Sequence, residues 1–121
     1  MIKTMEQWLT GKRLLIILTI AAAVWFSFTA VMTVLRYRLN YAPAYDFGIF
    51  SQMYYYMDKC LSPLTTCERD GLLSHFAVHL SPVFYVLLPL YKLVPRPETL
   101  LVLQSLVVIS GMVPLCLLAR T

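Results

Sequence analysis

Residues 14–35 read LLIILTIAAAVWFSFTAVMTVL, a stretch without a formal charge that Arg13 closes on one side and Arg36 on the other. A helix needs about 20 apolar residues to cross about 30 Å of hydrocarbon, so this stretch predicts a transmembrane helix. Lys3, Lys12 and Arg13 resemble the charged start of a secretory signal. The apolar run, however, exceeds the roughly 7–15 residues of a signal, and no convincing small-x-small cleavage site follows it. Ala23, Ser27 and Ala30 fall on one side of the predicted helix. Small residues so placed either let a second helix approach closely or face lipid.

A second charge-free run extends from Thr99 to Ala119 and ends at Arg120. It contains Gln104, Ser105, Ser110, Gly111 and Pro114, which a membrane helix tolerates where neighbouring helices take up their hydrogen bonds and fill their gaps. This run predicts a second span and further helices beside it. Composition agrees, because 60% of the 121 residues are hydrophobic and only 13% are charged, outside the usual range of soluble domains. The net charge of +4 comes from basic residues at the ends of apolar runs. That placement suits contact with lipid headgroups, and it argues against a nucleic-acid partner, which would need a basic patch.

Between the spans the pattern changes. Asp46 to Asp58 reads as a short amphipathic helix: Phe47, Phe50, Met53, Tyr54 and Met57 share a face, and Ser51, Gln52, Tyr55 and Asp58 lie elsewhere around it. With Tyr54, Tyr55 and Tyr56 in a row, such a helix belongs at the headgroup level or on a water-facing loop. Cys60 to Gly71, with Pro63, two threonines and three charges, reads as loop. Leu72 to Tyr91 carries no formal charge but includes His75, His79, Pro82 and Pro89. Its most apolar part, Pro82 to Val94, would reach only about 20 Å at 1.5 Å per residue. It is expected as an interfacial or re-entrant helix, with a third span as the alternative. Cys60, Cys67 and Cys116 match no common zinc spacing; Cys60 and Cys67 are either two free thiols or a short-range disulfide.

The expected fold class is therefore all-α: a helical integral membrane protein with full spans at 14–35 and 99–119 and interfacial or re-entrant helices at about 46–58 and 82–94 within the loop 36–98. Lys3, Lys12 and Arg13 before the first span and Arg120 after the second place residues 1–13 and 120–121 in the cytoplasm by the positive-inside rule, although Arg36 and Arg38 pull the other way. The expected location is the inner (plasma) membrane, crossed more than once, with the loop outside.

In that loop the residues become recognisable. Tyr45-Asp46-Phe47-Gly48-Ile49-Phe50-Ser51-Gln52 is followed by Ser74-His75-Phe76-Ala77-Val78-His79-Leu80-Ser81-Pro82, then by Leu88-Pro89-Leu90-Tyr91 and Leu117-Leu118-Ala119-Arg120. Over about residues 14–121 the chain resembles the N-terminal part of a family of bacterial multispan membrane proteins of unknown function, with a Tyr-Asp-x-Gly-Ile-Phe-x-Gln motif after the first span and a His-x-Ser-Pro motif later. That family is similar to the GT-C glycosyltransferases, which take a sugar from a polyprenyl-phosphate carrier. The resemblance implies an acidic general base in the first outer loop and juxtamembrane helices that shape a lipid-carrier groove. Only Asp46 matches that base by position. Ser51 stands where the motif often has an acidic residue, which speaks against a paired-carboxylate site. GT-C enzymes have many more spans, so the resemblance implies an N-terminal segment that is inactive as an isolated fragment.

The candidate catalytic residue is thus Asp46, either as the base that takes a proton from an acceptor hydroxyl or as the N-cap of the helix that follows. Arg36 and Arg38 are candidates for a lipid phosphate, although arginines at the end of a span also serve as headgroup anchors. His75 and His79, four apart, would share a helix face and contact substrate, a phosphate or a metal; Phe76 replaces the Glu that a zinc-protease motif requires. Neither a cofactor nor a metal can be assigned from these residues. The expected partners are membrane lipids, a polyprenyl-phosphate sugar donor, and further transmembrane helices of a longer chain or another subunit. A small membrane-anchored assembly protein without catalysis is the alternative function.

Overall fold

The computed structural model describes residues 11–41 and 44–118. The N-terminal basic residue Lys3 and the terminal Arg120, on which the orientation expectation rests, lie outside the described residues. Helix α1 runs Gly11–Arg38 and helix α2 Ala44–Cys60; short strands β1 (Leu64–Thr65) and β2 (Leu73–Ser74) follow. A 3-10 turn, His75–Ala77, leads to α3 (Val83–Leu93), α4 (Pro97–Ser110) and α5 (Met112–Leu118). The fold class is all-α, with two apolar helical stretches long enough to span a membrane, Arg13–Arg38 and Pro97–Leu118.

Only 6% and 11% of the most apolar windows of these two stretches are buried within the chain. A core helix of a soluble protein would be mostly buried, so their apolar surfaces need a nonaqueous neighbour. Their Ser and Thr hydroxyls are satisfied without one. The hydroxyls of Thr19, Ser27 and Thr33 donate to the carbonyls of Leu15, Ala23 and Thr29 one turn earlier, at 2.8 Å each. In α4, Ser105 does the same to Leu101 at 2.9 Å. Bonds of this kind let hydroxyls sit in hydrocarbon without an unpaired donor.

α1 packs on α4. Of the small residues expected to make that contact, Ala30 is buried, but Ala23 and Ser27 are exposed. The half-buried positions include Leu18, Ala22, Phe26, Thr29, Thr33 and Tyr37, a stripe of three-and-four spacing that mixes small and large side chains. At the loop end, Arg38 meets Glu98 at 3.3 Å. The C-terminus of α1 and the N-terminus of α4 therefore lie side by side, and everything between them is one excursion from one end of a helical hairpin. α3 is 11 residues long, about 16 Å, and cannot cross the hydrocarbon.

Each helix ends for a readable reason. After α1, Asn40 adopts φ 59°, Asn40 N–H bonds the Tyr37 carbonyl at 3.0 Å, and Tyr41 N–H bonds the Arg36 carbonyl at 2.8 Å. This is the paired C-terminal closure in which an αL residue, here Asn, turns the chain out of the helix. Pro97 starts α4 at a position where its missing N–H costs nothing. The expected second span is broken at Gly111. Pro114 removes a donor to the Ser110 carbonyl and its ring crowds that group, so the helix yields just before it.

The loop builds its own core. Met53 and Met57 are fully buried, with Tyr54, Leu88 and Tyr91 around them and Phe50, Phe84, Leu87 and Leu100 packed outside. The apolar face of α2, expected at the headgroup level or on a water-facing loop, packs on α3, and Tyr55 is the exposed member of the tyrosine row. Burial of each such side chain contributes about 1.5–3 kcal/mol.

Candidate functional site

Two hollows meet at the N-terminal turn of α2. The first is a cavity of 610 Å³ bounded by α1, α2, α3 and α4. Its lining is apolar over most of its surface, with Phe47, Phe50, Tyr54, Phe84, Leu87 and Val107 among the contributors, and it carries Arg36, Asp46, Thr33 and Gln104 as polar groups. Arg36 and Asp46 come from the loop ends of their helices. Leu100 to Val108 line it along about 12 Å of α4, so the cavity runs from a charged mouth into the apolar layer. Its size lies within the range of about 300–1,000 Å³ typical of small-molecule sites.

The second hollow, of 500 Å³, is also walled mainly by apolar surface, but it gathers more ionisable groups and is the more polar of the two. Asp46, Glu68, Arg69, His75 and His79 line it together with Tyr45, Ile49, Phe50 and Val78. Asp46 and Phe50 belong to both walls. Asp46 is the third residue of α2, inside its first turn and not at the N-cap expected from the sequence. There its negative charge is favoured by the helix dipole, and the side chain is exposed to both hollows.

Several contacts hold this geometry. The Tyr37 and Phe47 rings meet edge to face at 5.1 Å and seat the start of α2 on the end of α1. Gln52, less than two turns from Asp46 along the helix, pins the β1 segment: its side-chain oxygen accepts from Thr66 N–H at 2.8 Å and from the Thr65 hydroxyl at 3.0 Å. β1 pairs antiparallel with β2, and His75 N–H continues the pairing to the Pro63 carbonyl at 2.7 Å. Through that chain of contacts Gln52 sets the position of His75.

His75 is 3% exposed, and its Nδ1 lies 2.8 Å from Oε2 of Glu68. Its ring stacks edge-on against Phe50 at 5.6 Å and lies 5.8 Å from the ring of His79. The two histidines were expected on one face of a helix. The segment is instead a single 3-10 turn, started where the Ser74 hydroxyl accepts from Phe76 N–H at 3.3 Å, yet it still brings both rings to one hollow. Tyr54, missed as a site residue, closes the floor of the first cavity: its hydroxyl donates to the Phe84 carbonyl at 3.2 Å, and burial pushes its pKa up to about 12.

Of the sequence candidates, Asp46 and Arg36 share the apolar cavity, while Asp46, His75 and His79 share the polar one. Arg38 joins neither lining; it pairs with Glu98 and ties the ends of the hairpin. Sequence reasoning did not find Glu68, Gln52 or Gln104. Glu68 lay in a segment read as plain loop, and nothing local announces its contact with a histidine seven residues on. Among the described residues no group of three His, Cys, Asp or Glu side chains is placed to hold a metal ion. Cys60 and Cys67 are free thiols, one against the Tyr56 carbonyl and the other against Gln52.

A family model described as "Predicted membrane protein (DUF2079)" matches residues 35–121, which include the lining of the second hollow and, Thr33 apart, that of the first. No curated protein and no solved structure matches the chain.

Proposed function

The chain belongs to the DUF2079 family of predicted membrane proteins, and from that premise we propose that it is the N-terminal segment of a GT-C-like membrane glycosyltransferase that draws its sugar from a polyprenyl-phosphate carrier. The observation that carries this reading is the double exposure of Asp46, on the wall of an apolar cavity and of a polar one. A transfer between a lipid-borne donor and a water-borne acceptor needs a base at such a seam.

In this reading the first isoprene units of the carrier lie in the apolar cavity and its phosphate meets Arg36 at the mouth. An acceptor hydroxyl enters from the polar hollow and gives its proton to Asp46. Its oxygen forms the new bond to the anomeric carbon as the bond from that carbon to the phosphate oxygen breaks, and the polyprenyl phosphate leaves with the negative charge that Arg36 faces. The loop lies on the outer side of the plasma membrane. The exposed apolar sides of α1 and α4 are covered by lipid and by further transmembrane helices, which complete the catalytic assembly.

The test uses membranes that contain the parent protein and a polyprenyl phosphate bearing a photoreactive group on its first isoprene unit. Labelling is expected in α2 and α4, at residues that line the cavity, and unlabelled polyprenyl phosphate should compete where phosphatidylglycerol does not. Asp46→Asn should keep that labelling and lower sugar transfer by about 10²–10⁴-fold, the usual worth of a general base. Full transfer by Asp46→Asn would remove the base from the mechanism. Labelling that any phospholipid displaces would leave a membrane-anchored assembly protein as the better account.

A further inference from the structure

We propose that the polar hollow is a binding site for a neutral sugar, held by a hydroxyl that donates to Nε2 of His75. The inference rests on the glycosyltransferase reading, in which this sugar is the acceptor, and it supplies what that reading leaves open: the chemical class of the acceptor.

A carboxylate can only accept hydrogen bonds, so the 2.8 Å contact with Glu68 Oε2 puts a proton on Nδ1 of His75. In the neutral imidazole Nε2 is then a lone-pair acceptor. The ring as a whole is 3% exposed, and its opening is into the hollow that His75 lines. Among the described residues Nε2 has no protein partner, and His75 lines the hollow. An acceptor so placed asks for a ligand that brings a donor: an O–H or an N–H.

The charges around it narrow the class. Asp46 and Glu68 bring two carboxylates to the hollow against the single guanidinium of Arg69. A phosphate or carboxylate ligand would meet this excess of negative charge and an imidazole nitrogen without a proton. A sugar meets a matched set: hydroxyls to donate to Asp46 and His75, ring and hydroxyl oxygens to accept from Arg69. Tyr45 adds an exposed aromatic face beside Asp46, against which the C–H face of a pyranose can lie. Such a mixture of a few convergent polar groups with aromatic surface is what a small-molecule site requires for orientation.

Imidazole nitrogen resonances test the proposal directly, since the chain has only two histidines. The 121-residue chain would be labelled with ¹⁵N-histidine, placed in lipid nanodiscs at pH 7, and assigned with His79→Asn. The expected spectrum shows a proton on Nδ1 of His75. Methyl glucoside, methyl galactoside or methyl mannoside should shift the Nε2 resonance saturably, while inorganic phosphate at the same concentration leaves it in place. His75→Ala, followed through the backbone resonances of Val78 and Ile49, should weaken the same glycoside about tenfold. Glu68→Gln should either move the proton to Nε2 and weaken binding in step, or keep the tautomer and the affinity together. An imidazolium at pH 7, a shift produced by phosphate, or no saturable shift with any of the glycosides would overturn the proposal. The two readings fail separately: glycoside binding can be absent while Asp46→Asn still abolishes transfer, and it can be present in a protein that transfers nothing.

Discussion

The two long helices and the loop between their ends solve the same problem in opposite ways. In α1 the hydroxyls of Thr19, Ser27 and Thr33 turn back on their own helix, and the apolar side chains point outward without specific partners. In the loop, Met53 and Met57 have no exposed surface, and polar groups reach across the chain: Gln52 to Thr65 and Thr66, His75 to Glu68, and the Tyr85 hydroxyl to the Leu61 carbonyl at 2.7 Å. A helix in lipid gains little by burying apolar surface against another helix, whereas a segment in water gains about 25 cal/mol for each Å² buried. The loop therefore holds together around a packed core of its own. The candidate site lies where that core meets the pair of long helices.

The sharpest way to break that comparison is with thiols. Cys60 and Cys67 are exposed on the loop, while Cys116 sits in α5 within the apolar stretch. A membrane-impermeant maleimide added outside intact cells should modify the first two to completion and leave Cys116 unmodified, because thiolate forms in water and not in hydrocarbon. Mass spectrometry of the recovered chain reads the result. Modification of Cys60 and Cys67 only after the membrane is opened would invert the proposed orientation. Modification of Cys116 alongside them would mean that α5 lies in water.

A smaller but more local effect separates the cores. Met57→Ala should destabilise the loop by about 2–5 kcal/mol, the cost of a cavity in a packed core. Val24→Ala, on the exposed face of α1, should leave it within about 0.5 kcal/mol. Hydrogen exchange of the α2 and α3 amides distinguishes the two, since protection there follows local opening. Equal effects of the two substitutions would mean that the loop has no core of its own.

The same contrast decides how much could be read from the sequence. The spans were legible because an apolar run of fixed length states its own solvent, and the face of α2 was legible because Phe50, Met53, Tyr54 and Met57 repeat with the helix. What the face packs against was not, since the period is the same whether α3 or lipid lies opposite. The break at Gly111 was written in Gly111 and Pro114, yet neighbouring helices often absorb such residues, so the sequence left it undecided. The candidate site divides in the same way. Asp46, Arg36, His75 and His79 stand out by residue type, but the pairing of Glu68 with His75 and the grip of Gln52 on Thr66 are contacts between segments. Such contacts follow from the fold of the loop, and no periodicity encodes them.

The last test titrates the loop core. Tyr54 is 3% exposed, its ring centroid lies 5.2 Å from that of Tyr91, and burial pushes its pKa up to about 12, from an ordinary value of 10.0. Between those two values the folded loop keeps a proton that the unfolded chain has released. The unfolded state then binds fewer protons than the folded one, so the contribution of this phenol to stability is constant below pH 10 and falls as pH rises towards 12. Burial also raises the pKa of Tyr91, so the slope has two contributors. Tyr54→Phe should remove the larger part of the slope and leave the remainder to Tyr91. At pH 7 the same substitution should cost only about 1 kcal/mol, because it removes one hydrogen bond, at 3.2 Å to the Phe84 carbonyl, and keeps the ring that fills the core. Urea unfolding of the loop, followed by tyrosine fluorescence at pH 7, 10 and 11.5 in wild type and variant, gives both numbers. A slope that Tyr54→Phe leaves unchanged would mean that water reaches this phenol, and the floor of the apolar cavity would then be open where the packing of Tyr54, Phe84 and Tyr91 closes it.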